Sequence, residues 1–244
     1  MLRTARCVLL FAALPMTGHA EETLGPLDVP AIVGAPFSGV GVTETIRQTA
    51  DGNRFSVTSS TRYYRDSQGR TRTEREIPRV RMNEGATAAT HEFTQIRDAV
   101  SGTVYLLNPQ YKTAEVVTGL QKATAEPGGT APRLFTVFGG TRIGPDEPGW
   151  SAPVSLGEKS IDGIDAIGTR QIYTISAGSP FGNQKPVIIT VEQWFSPALG
   201  VVISKTGRAS TGGESNYRLG QIVQAEPEAS LFTVPADYQK NATQ

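Results

Sequence analysis

An all-β fold, mainly antiparallel, with minor short helices and built as a single curved sheet or half-barrel, is predicted by three observations on this 244-residue chain. Segments of strand length with apolar residues at every second position recur from Phe37 onward. They are separated by Asp51-Gly52, Ser101-Gly102 and Asp162-Gly163, dipeptides in which Gly takes the positive φ that a tight hairpin demands. No stretch keeps apolar residues at i, i+3, i+4 and i+7 over three turns, which disfavours βαβ units and a parallel sheet.

The elements follow from this pattern. Val40, Val42 and Ile46 alternate with Gly41, Thr43 and Thr45, and Asp51-Gly52 turns the chain into a strand over 54–65 that carries Phe55, Val57 and Tyr63 on one face. A turn at 66–69 leads to a charged strand over 70–76, which Pro78 ends. Three short strands follow, over 93–98, 103–107 and 113–117. Between 119 and 153 the composition shifts to Gly, Pro and Thr with isolated large apolars, which marks a long loop of functional character or a disordered one. Strands resume over 154–161, 164–176, 186–195, 199–207 and 217–224. Glu226-Pro227-Glu228 predicts a single helical turn with Pro at its first position.

The N-terminus points to a compartment. Arg3 and Arg6 precede an apolar core from Cys7 to Met16, and Gly18-His19-Ala20 offers small residues before Glu21-Glu22, the three parts of a cleaved export signal. The apolar run is too short for a membrane span, which needs about 20 residues. The predicted organisation is a signal peptide over 1–20, an extended Pro- and Gly-rich lead-in over 21–36, and one β domain over 37–244 with its long loop at 119–153. A periplasmic or secreted protein without a transmembrane anchor is expected. Cys7 is the single cysteine and falls inside the signal, so the exported chain is expected to lack disulfides.

Charge and residue inventory exclude several chemistries. The chain carries 23 basic and 23 acidic side chains, and loss of Arg3 and Arg6 leaves a balance of −2, which gives no reason to expect nucleic acid as a partner. After cleavage His91 is the one histidine, so a zinc site of several His or Cys ligands cannot form within the chain, and thiol catalysis is excluded. His91-Glu92 has Gln95 where a zinc-protease motif needs its second histidine. Gly-x-Ser-x-Gly, Ser-x-x-Lys and phosphate-binding glycine loops are absent. No cofactor is expected.

Two groups of residues are candidates for binding. Phe135, Phe138 and Trp150 stand in the long loop, where they are exposed unless the segment folds back on the sheet; they are candidate members of a ligand cover, with plain packing as the competing role. Arg62, Arg65, Arg70 and Arg72 interleave with Tyr63 and Tyr64, a pattern that can meet anionic groups. The competing role is a solvated strand face balanced by Asp66, Glu74 and Glu76. Trp194 and Phe195 precede a turn and read as core.

Five segments, Tyr64–Arg70, Ile96–Pro109, Ile161–Ala166, Trp194–Pro197 and Leu231–Tyr238, resemble a group of uncharacterised secreted bacterial proteins. More distantly, Tyr-x-Asp in one strand, a strand ending in Asn-Pro and an Asp-Gly hairpin resemble the periplasmic lipoprotein-carrier (LolA/LolB-like) superfamily. That resemblance implies a curved half-barrel whose concave face holds acyl chains under a helical lid; this chain offers only 83–90 and 119–138 for short lid helices.

The leading functional reading is a non-catalytic exported binding protein that holds a lipid-like or apolar ligand in its curved sheet, with 119–153 as a movable cover. The alternative is an envelope protein-interaction or stress-sensing module that binds a protein partner through a sheet edge or the Arg-rich face. A hydrolase using paired carboxylates is the remaining reading.

Overall fold

A computed structural model describes residues 29–49, 51–79, 89–119, 135–136, 142–144, 147–180 and 182–242. The expected export signal over 1–20, the start of the lead-in, most of the 119–153 loop and Phe138 lie outside the described residues, as do the side chains of His91 and Phe135.

Among the described residues, twelve strands form one sheet. In chain order they are β1 (Phe37–Gln48), β2 (Arg54–Arg65), β3 (Thr71–Arg79), β4 (Ala89–Asp98), β5 (Thr103–Asn108), β6 (Thr113–Thr118), β9 (Val154–Ile161), β10 (Ile164–Ile175), β11 (Val187–Ser196), β12 (Val201–Ala209), β13 (Glu214–Val223) and β14 (Gln239–Ala242). Two short strands, β7 (Phe135–Thr136) and β8 (Arg142–Ile143), pair separately. The sheet runs β14-β6-β5-β4-β3-β2-β1-β13-β12-β11-β10-β9, so chain-order meanders on both sides are joined by the long β1–β13 ladder. The sheet does not close into a barrel. Accumulated right-handed twist prevents so many antiparallel strands from lying flat, so the sheet coils.

Most predicted strands form within a residue or two of their expected limits, because hairpin glycines set the ends. Gly163 at φ 80° and Gly52 at φ 86° occupy the left-handed region that the Asp-Gly turns require. Other boundaries differ. The strand expected to stop at Pro78 runs on to Arg79, and β4 begins at Ala89 to meet it, with Pro78 opposite Thr90; proline lacks one ladder donor, but its neighbours Ile77 and Arg79 keep the pairing. The strand expected from Leu199 starts at Val201, since Gly200 N donates to Ser196 O at 2.7 Å and extends the turn. The strand expected from Tyr217 begins at Glu214, paired with Ile46 and Arg208 across both neighbouring ladders. The helical turn is a 3-10 turn over Ala229–Phe232, with Pro227 before it rather than inside it.

The main core lies on one face of the central ladders. Phe37, Tyr63, Ile203, Tyr217 and Leu219 are buried together, and Gly41 lies between the Tyr63 and Tyr217 rings, where a Cβ would stand 2.7 Å from each. Glycine in mid-strand is therefore a packing requirement here. The end of the lead-in joins this core: Val29, Ile32 and Ala35 are buried, so ordered packing begins before Phe37.

The opposite face carries a strap. After β13 the chain crosses the sheet to pair β14 in parallel with β6 at the far edge. Glu226 receives the Ser67 N–H at 3.0 Å, Arg72 donates to Leu231 O at 3.0 Å, and Val234 and Tyr238 pack on Ile96, Leu107 and Ala114. This parallel strand was not expected, because Gln-Lys-Asn-Ala shows no apolar alternation.

Candidate functional site

The Arg-rich candidates are placed differently from one another, and internal partners hold all four. Arg65 is not a surface group: it is 0% exposed, and its guanidinium donates to Ala35 O (2.8 Å), Pro30 O (3.1 Å) and Leu199 O (2.6 Å) while lying 4.8 Å from the Phe37 ring centre. Burial pulls its pKa down to about 10. Arg70 pairs with buried Asp66 at 2.6 Å and lies over Phe232. Arg72 pairs with Glu74 at 2.7 Å. Arg62 faces Glu74 and Glu76 at 3.8 and 3.6 Å. Arg62 and Arg72 border an open depression of about 230 Å³ beside Tyr238 on the strap face, and Glu74, Glu76 and Glu92 border it too. An anion there would meet carboxylates as well as guanidinium groups, which weakens its attraction.

The loop aromatic that the structure places, Trp150, leads to a different site. Residues 149–151 continue along the edge of β10 beyond β9. Thr174 N donates to Gly149 O (3.0 Å), Ser151 N donates to Ile172 O (2.8 Å), and Trp150 bridges to Tyr173. The Gln171 side chain donates to Ser151 O at 3.1 Å, and Ile172 N donates to Ser151 Oγ at 3.0 Å. The backbone of this part of the loop is thus fastened to the sheet. The indole packs on the Ile175, Ile189 and Val191 cluster, makes a tilted ring contact with Tyr173 at 4.9 Å and donates one hydrogen bond from Nε1 to Gly144 O at 2.9 Å.

Beneath the indole is a small cavity of about 10 Å³, lined by Trp150, Thr169, Gln171, Val191, Gln193 and Lys205. That is room for one water-sized group. Strand register builds it: Thr169 opposes Gln193, Gln193 opposes Lys205, and Lys205 opposes Tyr217, so one row across β10–β13 is polar. The next rows on the same face become apolar, through Val191 to Tyr173, Ile189 and Ala209, and then Ile175 and Val187. Lys205 is 9% exposed and Gln193 6%. Burial pushes the Lys205 ammonium down to about 8. Tyr217, buried and hydrogen-bonded to Tyr63, is held neutral well above the usual tyrosine value, chiefly by desolvation.

Sequence reasoning named Trp150 but passed over Lys205, Gln171 and Gln193. A signal was present: Lys205 follows Val201 and Ile203 at the spacing of two that points side chains to one face, and Gln193 continues Ile189 and Val191 in the same way. A lysine in the phase of the apolar residues is a buried lysine unless the strand ends. Trp194, expected in the core, packs over Gly168, where a Cβ would come within 2.6 Å of the ring, with Lys159 Nζ 3.6 Å from the ring centre. Among the described residues, no three His, Cys, Asp or Glu side chains are grouped to hold a metal ion, and no helix is long and apolar enough to cross a membrane.

Stability should register the buried lysine. Its pKa is about 8 in the fold against 10.5 when solvated. Below pH 8 both states keep the proton; above it the unfolded chain binds more, so stability rises with pH toward 10.5, by on the order of 3 kcal/mol across the window. Tyr217 acts in the opposite sense as unfolded tyrosines ionise near pH 10, so the effect is read between pH 8 and about pH 9.5. Urea unfolding at stepped pH should show this rise in the native protein and a flat profile in Lys205→Met; parallel profiles would count against a desolvated Lys205.

No known protein family matches the chain, and no curated protein does. Solved structures do. An uncharacterised conserved protein from Thermus thermophilus aligns with 92% of this chain and 99% of its own, at 11% identity and a TM-score of 0.43. A β-barrel-like protein of a domain family of unknown function from Brucella abortus covers 80% of this chain and all of its own, at 11% identity and a TM-score of 0.40. A LolA superfamily protein from Nitrosomonas europaea covers 88% of this chain and 97% of its own, at 10% identity and a TM-score of 0.31. The LolA superfamily is thus named among the solved structures to which the chain is similar. At such scores none of them specifies a ligand or a chemistry for this chain.

Proposed function

We propose that the protein is a non-catalytic exported binding protein of the cell envelope that holds a lipid-like ligand against one face of its coiled sheet. The observation that carries this reading is the cavity under Trp150, where a polar row passes into apolar rows on the same strands. Four polar groups converge there at the border of an apolar cluster, an arrangement that suits the orienting end of a ligand site. The rotatable cover is the Trp150 indole; Phe135 and Phe138 remain candidates for the rest of that cover. The expected export signal supports a periplasmic or secreted location.

The test is native mass spectrometry of protein purified from the envelope fraction without detergent. An added mass of a lipid or other apolar molecule, released on denaturation, is expected. In the Trp194→Phe variant, which leaves Trp150 as the emitting indole, the same ligand should shift the emission when added back. A bare protein mass together with unmoved emission across a panel of lipids would remove this reading.

One observation favours the alternative, capture of an envelope protein. β9 terminates the sheet, and Val154, Ile167, Ile172 and Ile188 are exposed on β9–β11, a surface to which a partner strand could add. Capture that survives lipid extraction and is lost in Val154→Lys would support it.

A further inference from the structure

Lys205 sits where the two halves of the cavity's chemistry meet, and we infer that it anchors the head of an anionic amphiphile, with a carboxylate or phosphate oxygen between Lys205, Gln193 and Thr169 and the chain on the apolar rows. This rests on the binding reading above and names its ligand class. Three observations lead to it. The cavity admits one water-sized group, which is the size of a head oxygen and far short of a chain. The groups around it include donors in register, an ammonium, a carboxamide and a hydroxyl, from three adjacent strands. Ile203 of the main core closes one side of the polar row; on the other, beside Trp150, Val191 is one row away, Ile189 and Tyr173 two rows, and Val187 and Ile175 three rows. Three rows of an antiparallel strand span about 20 Å, the length of an extended acyl chain.

The direction of the polar-to-apolar change also sets how the ligand lies. The head lies in the polar row, and the tail runs beneath the Trp150 indole along β10 and β11, away from Ile203 and the main core. The indole crosses the tail path and rests on Tyr173, so its rotation away from Gly144 O opens the apolar rows without breaking the ladder that holds 149–151. A neutral amphiphile of the same chain would use the apolar rows but would give the ammonium no anionic contact, and a charged hydrogen bond in a buried setting is the stronger kind.

Titration calorimetry with dodecanoate, dodecyl phosphate, dodecanol and acetate separates the outcomes. Dodecanoate or dodecyl phosphate should bind at least about tenfold more tightly than dodecanol, and Lys205→Met should bring the ratio near one. Gln193→Leu is the second variant, should Lys205→Met fold poorly; it is expected to lower the ratio about threefold. The ratio persisting in folded Lys205→Met would overturn the anchor, and so would acetate binding as tightly as dodecanoate, which would mark a site for free anions. If neither dodecanoate nor dodecanol binds to the native protein, the binding reading itself falls.

Discussion

Replacing Arg65 by Met should destabilise the protein by about 4 kcal/mol or more. Arg65 gathers two chain segments through three backbone carbonyls: Pro30 and Ala35 of the lead-in and Leu199 of the β11–β12 turn. Met can fill much of the volume, but two buried acceptors would lose their donor, each at about 1–3 kcal/mol, and the part-buried Pro30 O would lose one too. Lys carries the charge, yet its single compact ammonium cannot reproduce the guanidinium fork that reaches three diverging carbonyls. The cost is therefore one of carbonyl satisfaction rather than of charge pairing. Since domains of this kind hold about 5–15 kcal/mol in all, Arg65→Met should be marginally folded. Urea unfolding followed by circular dichroism measures it; a midpoint equivalent to a change of less than about 0.5 kcal/mol would show that the lead-in and turn are held by something else.

The second large effect is at the strap. Phe232 is buried in the 3-10 turn, beneath the Arg70 guanidinium at 5.2 Å and against β3 and β4. Phe232→Ala should cost about 3–5 kcal/mol, the sum of lost apolar transfer and the cavity left behind. The loss should appear first as local opening, because among the described residues β14 has β6 as its one neighbour and so short a strand does not stay paired alone. Hydrogen exchange read by mass spectrometry should show Gln239–Ala242 losing protection before the β1–β13 ladder does. Equal protection of β14 in both proteins would mean that Val234, Tyr238 and the Lys112–Asp237 pair at 3.2 Å suffice to hold the strap.

Neither residue could have been singled out by type. Arg65 was grouped with Arg62, Arg70 and Arg72 because a run of arginines reads as a charged surface, and that reading suits Arg62, which lies opposite Glu74 on the next strand. The alternation in β2 does place Arg65 in phase with Tyr63 and Thr61, which marks it as inward. It does not say that carbonyls from residues 30, 35 and 199 would be waiting there.

Local structure was legible in the chain before any coordinates. Alternation, hairpin glycines and the lack of helical period led to an all-β, single-sheet fold and most strand limits, since these depend on the conformational preferences of neighbouring residues and on the two-residue repeat of a strand. The turn at Asp162-Gly163 and the ends of β10 are examples. Folding in three dimensions settles what depends on partners distant in the chain: the long ladder that joins β1 to β13, the strap that crosses to β6, the carbonyl cage around Arg65, and the meeting of Thr169, Gln193 and Lys205 under Trp150. Each of these is set by how separate segments come together, strand register above all, and that is a property of pairs of segments, which no single segment carries in its own residues.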